Sequence, residues 1–287
     1  DLGGTNIRFA LCKAGSVDVS NIMKYSIRDY ESISHLIQVY LKDSGSSKSD
    51  IDGCCIAIAG PVNDDRVKMT NCDWEISTDT LNNTLNIESS AIINDFHAIA
   101  LAAKHLPADG LTTIGLQSPD FACGPVSVFG PGTGLGAALL FTQDDQQLAV
   151  IPTEGGHAGL SARSDEELFI FDYWRNKGCR INREFFVSGQ GIERIFEALC
   201  VEHNRNDHKH LSVLNIQMMG CNGEDSLCEK AMNIFCAFLG SAAGDQVLCT
   251  GSTGGLILAG GILPRFVDFL RQSPFRKRYE SKGVMSD

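Results

Sequence analysis

Two stretches of this chain place glycine beside small hydroxyl and amide side chains. The first is Asp1-Leu2-Gly3-Gly4-Thr5-Asn6, and the second is Gly130-Pro131-Gly132-Thr133-Gly134-Leu135-Gly136. Bare backbone of this kind can bring N–H groups close to an anion with no Cβ in the way. Thr5, Asn6 and Thr133 could add donors to phosphate oxygens, and Asp1 could hold a hard cation such as Mg²⁺ through water. An ordinary hairpin turn uses the same residue types, so the first stretch reads equally well as a plain turn. Four glycines in seven residues are more than a hairpin needs, which favours a ligand loop for the second.

A carboxylate follows the apolar run of Ile92 and Ile93, in Asn94-Asp95-Phe96. An alcohol is a poor nucleophile until a base accepts its proton, and Asp95 is a candidate for that base. The competing use of Asp95 is as a helix N-cap. Further on, Glu154-Gly155-Gly156-His157 offers a carboxylate acceptor and an imidazole donor between glycines, a set suited to adjacent hydroxyl groups. Zinc would need more Cys or His at ligand spacing, and Leu160–Glu167 supplies none. Glu184, just before Ser188-Gly189-Gln190-Gly191, is another acceptor. Ala259-Gly260-Gly261-Ile262-Leu263-Pro264 could lay bare backbone against a flat ring at a helix start, or could simply pack strand against helix. Gly132, Gly134 and Ala137 also match a dinucleotide fingerprint, with Glu154 about 20 residues on. That motif needs a helix after the glycines, whereas Ala137–Phe141 followed by a polar turn reads as a strand.

These segments must be held by alternating strands and helices. A strand is expected over 7–12, helices over 29–44 and 77–86, and buried strands over 54–61 and 90–96. A helix follows Asn94-Asp95. Beyond residue 125 come strand, glycine turn and strand, then a helix opened by a Ser164/Glu167 capping box. A helix after Ser188, a long apolar helix over 225–249 and a buried strand before Gly260 complete the pattern. The alternation implies an α/β fold. The polar stretch at 106–120 marks a boundary, dividing the chain into 1–105 and 106–287, with one glycine hairpin in each part and a shared cleft expected between them.

Composition excludes several classes. Hydrophobic residues make up 43% and charged residues 21% of 287, as in a globular protein. A net charge of −11 repels phosphate backbones, which argues against nucleic acid as a general partner. The 11 cysteines include no C-x-x-C pair, so neither a disulfide framework nor a zinc pattern is present. Cys12, Cys54, Cys236 and Cys249 sit in apolar company and read as reduced, buried thiols, which points to the cytoplasm. No apolar run of membrane-spanning length and no leader are expected.

Taken in order, DLGGTN, AIAGPV, MTNCDW, INDF, GPGTGLG, EGGH, a Glu before SGQG, and AGGILPRF resemble the bacterial glucokinase family over essentially the whole chain. The resemblance implies a two-domain actin/hexokinase-like ATPase fold with a ribonuclease H-like core and an interdomain cleft. It implies Mg²⁺-ATP as phosphoryl donor, glucose as acceptor at its 6-hydroxyl, and a product that feeds glycolysis. Asn94, Asp95, Glu154, His157 and Glu184 would meet the sugar, with Asp95 as base and Asn71 and Trp74 in a stretch lining the pocket. DLGGTN and GPGTGLG would be the phosphate segments and AGGILP the adenosine segment. A homodimer with no membrane association is also implied.

The chain departs from the family in places. The apolar strand before the first Asp and the last strand and helix are absent from this sequence, so it reads as a piece of a longer protein. Gln190 stands where the family often has Pro. The related repressor and kinase group carries a Cys-rich zinc segment after its EGGH-like motif, which this chain lacks. A kinase of the same fold acting on another hexose or amino sugar, and a non-catalytic sugar-binding regulator, are the competing readings.

Overall fold

The computed structural model describes residues 1–60, 62, 65–69, 72–106, 110–115, 118–143, 147–206 and 211–286. The chain forms two compact units, Asp1–His105 and Leu106–Asp287, each with its own apolar core.

Unit one runs β1 (Asn6–Cys12), β2 (Val19–Ser26), α1 (Ile33–Ser44), β3 (Gly53–Ile58), β4 (Arg66–Lys68), β5 (Glu75–Ser77), α2 (Thr78–Leu85), β6 (Ser89–Asn94) and α3 (Asp95–Ala103). The helix α1 shows why such sequences fold as they do. Ser32 caps it by accepting the His35 N–H at 3.2 Å. Ile33, Leu36, Ile37, Tyr40 and Leu41 then form one buried stripe at helical spacing. Gly45, at φ +70°, ends it in the left-handed conformation that glycine adopts without penalty. Ser77 caps α2 in the same way, taking the Thr80 N–H at 3.1 Å.

The strands β1 and β2 pair antiparallel and β3 and β6 pair parallel. Leu2 links the two pairs, bridging antiparallel to Ile7 and parallel to Ile58. Leu2 and Ile7 are each only 1% exposed, so both arms of the first glycine turn are anchored in the core. Truncating an aliphatic side chain buried that fully costs about 2–5 kcal/mol. In the same register Ile58 pairs with Asn94. Leu2, Ile58 and Asn94 therefore lie side by side, and the chain leaves the sheet at one end in all three places.

Unit two contains β7 (Val126–Pro131), β8 (Leu135–Thr142), β9 (Leu148–Thr153), α4 (Asp165–Asn176), α5 (Arg183–Phe186), α6 (Gly189–Glu202), α7 (Val213–Cys221), α8 (Ser226–Thr250), β10 (Gly255–Leu258), α9 (Val267–Gln272) and α10 (Phe275–Glu280). Its sheet has the order β10-β7-β8-β9, with β10 parallel to β7 and the rest antiparallel. Every residue of β7 is buried, as befits an inner strand. Ser164 caps α4 and accepts the Glu167 N–H at 3.2 Å. The reciprocal bond of the expected capping box is displaced by one residue: the Glu167 carboxylate takes the N–H of Arg163 at 2.7 Å.

Two expectations need correction. α8, with 25 residues, is long and apolar enough to cross a membrane by length and composition, contrary to the reading that no run is. Its apolar character has another cause, because 72% of its most apolar 18-residue window is buried inside the protein, with Phe235, Phe238 and Leu239 fully enclosed. Of the four cysteines expected inside, Cys236 is buried and Cys54 half-buried, but Cys12 and Cys249 are exposed. Cys12 ends β1 in a hairpin whose partner strand β2 is itself largely exposed, so apolar sequence neighbours did not imply cover.

Candidate active site

In unit one the first glycine turn closes on a bond from the Gly3 N–H to the Asn6 carbonyl at 3.0 Å. Gly4 and Thr5 are exposed at its tip, and the Thr5 carbonyl accepts the Ile27 N–H at 3.0 Å. A Cβ on Gly3 would meet nothing nearer than the Asn6 oxygen at 3.5 Å, an ordinary contact. The fold itself does not demand glycine there. The Asp1 carboxylate is exposed and lies 3.4 Å from Arg8 Nη1.

Asn94 ends β6 and caps α3. Its Oδ1 accepts the N–H groups of Phe96 at 2.9 Å and His97 at 3.2 Å, while its Nδ2 donates to the Gly60 carbonyl at 3.0 Å. The cap role weighed for Asp95 thus falls to its neighbour, and one amide hydrogen of Asn94 is left for a ligand. Asp95 is the first residue of α3, half-buried, with Oδ1 accepting the Phe96 N–H at 2.9 Å. The start of a helix favours negative charge. Burial pushes the His97 imidazole below its ordinary value. Trp74 is 7% exposed and belongs to the core of unit one. Asn71 lies outside the described residues.

In unit two the second glycine stretch is the β7–β8 hairpin, closed by the Gly132 N–H donating to the Gly134 carbonyl at 2.7 Å. Ala137 lies in β8, so the dinucleotide fingerprint has no helix to open. The Glu154–His157 segment forms a single 3-10 turn after β9. A Cβ on Gly156 would come within 2.2 Å of the Leu135 carbonyl oxygen, so this turn is pressed directly onto the hairpin. Glu154 and His157 are both exposed, with His157 Nε2 at 3.8 Å from Glu154 Oε2.

Three consecutive residues at the start of α5 brace these parts. Asn182 Nδ2 lies 3.2 Å from His157 Nδ1. Arg183, 6% exposed, donates its N–H to the Ala158 carbonyl at 2.9 Å and its Nη1 to the Gly155 carbonyl at 3.3 Å and to Gln246 Oε1 at 3.2 Å. Glu184 Oε2 accepts the Leu135 N–H at 2.9 Å. A carboxylate has about four acceptor sites, so Glu184 can brace the hairpin and still receive a ligand hydroxyl. Sequence reasoning singled out Glu184 and missed Asn182, Arg183 and Gln246. The signal available for Asn182 was its cap position before an acidic first turn; nothing local marks Gln246, which reaches Arg183 from the distant α8.

The Ala259–Pro264 segment continues from β10. The Ala259 N–H donates to the Phe129 carbonyl at 3.0 Å, and Pro264 sits inside the 3-10 turn Leu263–Arg265 before α9. Gly260 has φ +94°, and a Cβ there would lie 2.4 Å from the Pro131 carbonyl oxygen. Gly134 would meet Glu184 Oε2 at 2.5 Å. Gly260 is glycine for the sake of the protein's own packing, since it faces backbone at a positive φ, whereas Gly134 faces only the movable end of the Glu184 side chain. A Cβ on Gly132 or Gly261 would meet no atom of the described residues within 4 Å, and neither has a positive φ. Their bare backbone is left open to a ligand.

Away from these segments, ligand atoms of Glu166, Glu202 and His203 come within 4.8 Å of one another. Lys230 already pairs with Glu166 at 2.6 Å, so this reads as a surface charge cluster.

The glucokinase family profile matches residues 1–287. The chain belongs to the glucokinase family. A glucokinase of Colwellia psychrerythraea is 37% identical over 290 residues, covering all of this chain and 87% of the relative. The crystal structure of a glucokinase from an Antarctic psychrotroph superposes with a TM-score of 0.85 at 33% identity, over 99% of this chain and 88% of that one. A ROK family glucokinase from Streptomyces griseus, solved with glucose and AMPPNP, shares the fold with a TM-score of 0.64 at 18% identity, over 99% and 88% of the two chains. The α/β fold is the actin/hexokinase-like ATPase fold of these glucokinases, and membership makes the chain an ATP-dependent hexose kinase.

Proposed function

We propose that the chain transfers the terminal phosphoryl group of ATP to the 6-hydroxyl of glucose, with Asp95 as general base. The observation that carries this is the register of Leu2, Ile58 and Asn94. It brings the first glycine turn and Asp95 out of the same end of one sheet, two strand spacings or about 10 Å apart. Carboxyl ends of parallel strands are where such sheets hold ligands, and this gap suits a phosphoryl group meeting a hydroxymethyl group.

In the step itself the sugar O6 attacks the γ-phosphorus. The O6–P bond forms, the bond from phosphorus to the β,γ-bridging oxygen breaks, and ADP leaves with that electron pair. The O6 proton passes to Asp95. Such transfer needs mostly positioning and charge neutralisation. Backbone N–H groups at Gly3–Asn6 and Gly132–Gly134, with the Thr5 and Thr133 hydroxyls, would hold phosphate oxygens. Glu154, His157, Glu184 and the remaining Asn94 amide hydrogen would hold sugar hydroxyls, and Gly260-Gly261 the adenosine. Mg²⁺ commonly binds through one or two carboxylates plus substrate phosphates. The exposed Asp1 carboxylate fits that habit and would hold the ion, which neutralises phosphate charge when bound.

The test is ADP release with no sugar, with glucose, and with a panel of hexoses and amino sugars. Release should depend on sugar and be fastest, per unit KM, with glucose. Indifference to sugar rejects the kinase reading, and a stronger response to another sugar reassigns the acceptor. Asp95→Asn should lower kcat by about two orders of magnitude or more while glucose affinity changes only a few-fold. Near-normal turnover would remove Asp95 as base.

A further inference from the structure

We infer that Asn182 is a positioning residue that fixes the proton of His157 on Nε2, so that the turn presents one donor and one acceptor to a single sugar hydroxyl. This rests on reading His157 as a hexose contact. Asn182 caps α5, and its Oδ1 accepts the Phe185 N–H at 2.8 Å. That bond decides which end of the amide faces the imidazole. Rotating the amide would set NH₂ against the Phe185 N–H, donor against donor, and lose the cap. The group 3.2 Å from His157 Nδ1 is therefore the amide nitrogen, which can only donate. Nδ1 must offer a lone pair, and a neutral imidazole then carries its single proton on Nε2.

Nε2 lies 3.8 Å from Glu154 Oε2, beyond hydrogen-bond reach. A hydroxyl placed against both atoms would accept from Nε2–H and donate to the carboxylate, satisfying two groups that do not satisfy each other. The pair thus reads a hydroxyl in both of its roles, which a carbonyl or an ether oxygen cannot fill. The charged groups at this turn are Glu154, on the Nε2 side, and Arg183, which reaches the Gly155 carbonyl from α5.

Asn182→Asp separates this role from a structural one. Aspartate caps helices as well as asparagine does, so α5 keeps its start. It presents an acceptor to Nδ1, however, which then calls for a proton on Nδ1. The neutral ring would carry that proton on Nδ1 and leave Nε2 bare; only the imidazolium would still donate from Nε2. In the full chain labelled with ¹⁵N-histidine and without sugar, the wild-type His157 signal, assigned by its loss in His157→Ala, should report the neutral Nε2–H form. In Asn182→Asp it should report a protonated Nδ1. Glucose KM of the variant should be about tenfold above that of wild type, with kcat within about threefold, because the neutral ring no longer donates from Nε2. A wild-type Nδ1–H tautomer, or a variant with an unchanged tautomer and a wild-type KM, overturns the inference. An unchanged glucose KM in His157→Ala, with the tautomers as stated, would instead reject His157 as a sugar contact and leave the proton assignment standing.

Discussion

A methyl group added at Gly130 would sit 2.2 Å from the Ala259 carbonyl oxygen, and one at Gly260 would sit 2.4 Å from that of Pro131. The same methyl at Gly132 or Gly261 meets no described atom within 4 Å. Glycines of the first kind serve the protein, and those of the second are available to a ligand. Gly130→Ala and Gly260→Ala should therefore lower the melting temperature by several degrees, since overpacking costs about 1–3 kcal/mol. Gly132→Ala and Gly261→Ala should melt within about 2 °C of wild type and raise the KM for ATP about tenfold or more. Thermal melts paired with ATP titrations read both effects. An unchanged KM in the second pair would remove them from nucleotide binding. The sequence showed that glycines cluster here, but it could not sort them. The sorting depends on which distant carbonyl passes each one, and Ala259 lies 129 positions from Gly130 in the chain.

At the scale of elements, capping and periodicity were readable wherever one helix face was apolar and the other polar, as in α1. β2 was not readable because Val19 and Ile22 are exposed on it, so its polarity does not alternate. α7 was lost for a related reason: Leu214 and Met218 are exposed while Gln217 is buried, which inverts the expected pattern. The start of α8 supports a pH prediction. Asp225 caps the helix through the Leu227 and Cys228 N–H groups and receives Arg205 Nη1 on both oxygens at 2.9 Å. The Arg205 bonds, set against partial burial, hold its carboxyl down at about 2, from an ordinary 3.8. A value depressed by folding means that the unfolded chain takes up the proton first as acid is added. The contribution is complete above about pH 4 and is lost as pH falls through about 2. Asn at this position keeps the cap but loses the ion pair. Asp225→Asn should thus be less stable in urea by on the order of 2 kcal/mol at pH 7 and should converge with wild type near pH 2. A constant difference across that range would assign the effect to packing instead.

For the whole molecule, the proposed chemistry draws its base from unit one and most of its hydroxyl contacts from unit two. Glucose should then slow amide hydrogen exchange in peptides from both units, in particular those spanning 89–97 and 153–160. Protection confined to one unit would reject this division of labour. The α/β class and the sheet-end position of Asp95 were legible because an apolar run broken by Asn-Asp carries its own meaning. The order and separation of the glycine segments likewise pointed to the family. What could not be read was the bracing. Asn182, Arg183 and Glu184 each reach a different part of the site, and only the folded path of α5 makes one tripeptide the neighbour of both the hairpin and the turn.

The contact of Gly156 with the Leu135 carbonyl also bears on how such a protein can change over generations. With no space for even a methyl group between turn and hairpin, the backbone there is closed to drift, and inheritance can act only on the side chains that radiate from it. On the roles proposed above, new sugar preferences would arise by exchanging groups at positions such as Glu154, His157 and Asn182 over a frozen scaffold, so that lineages diverge in taste while keeping the same skeleton.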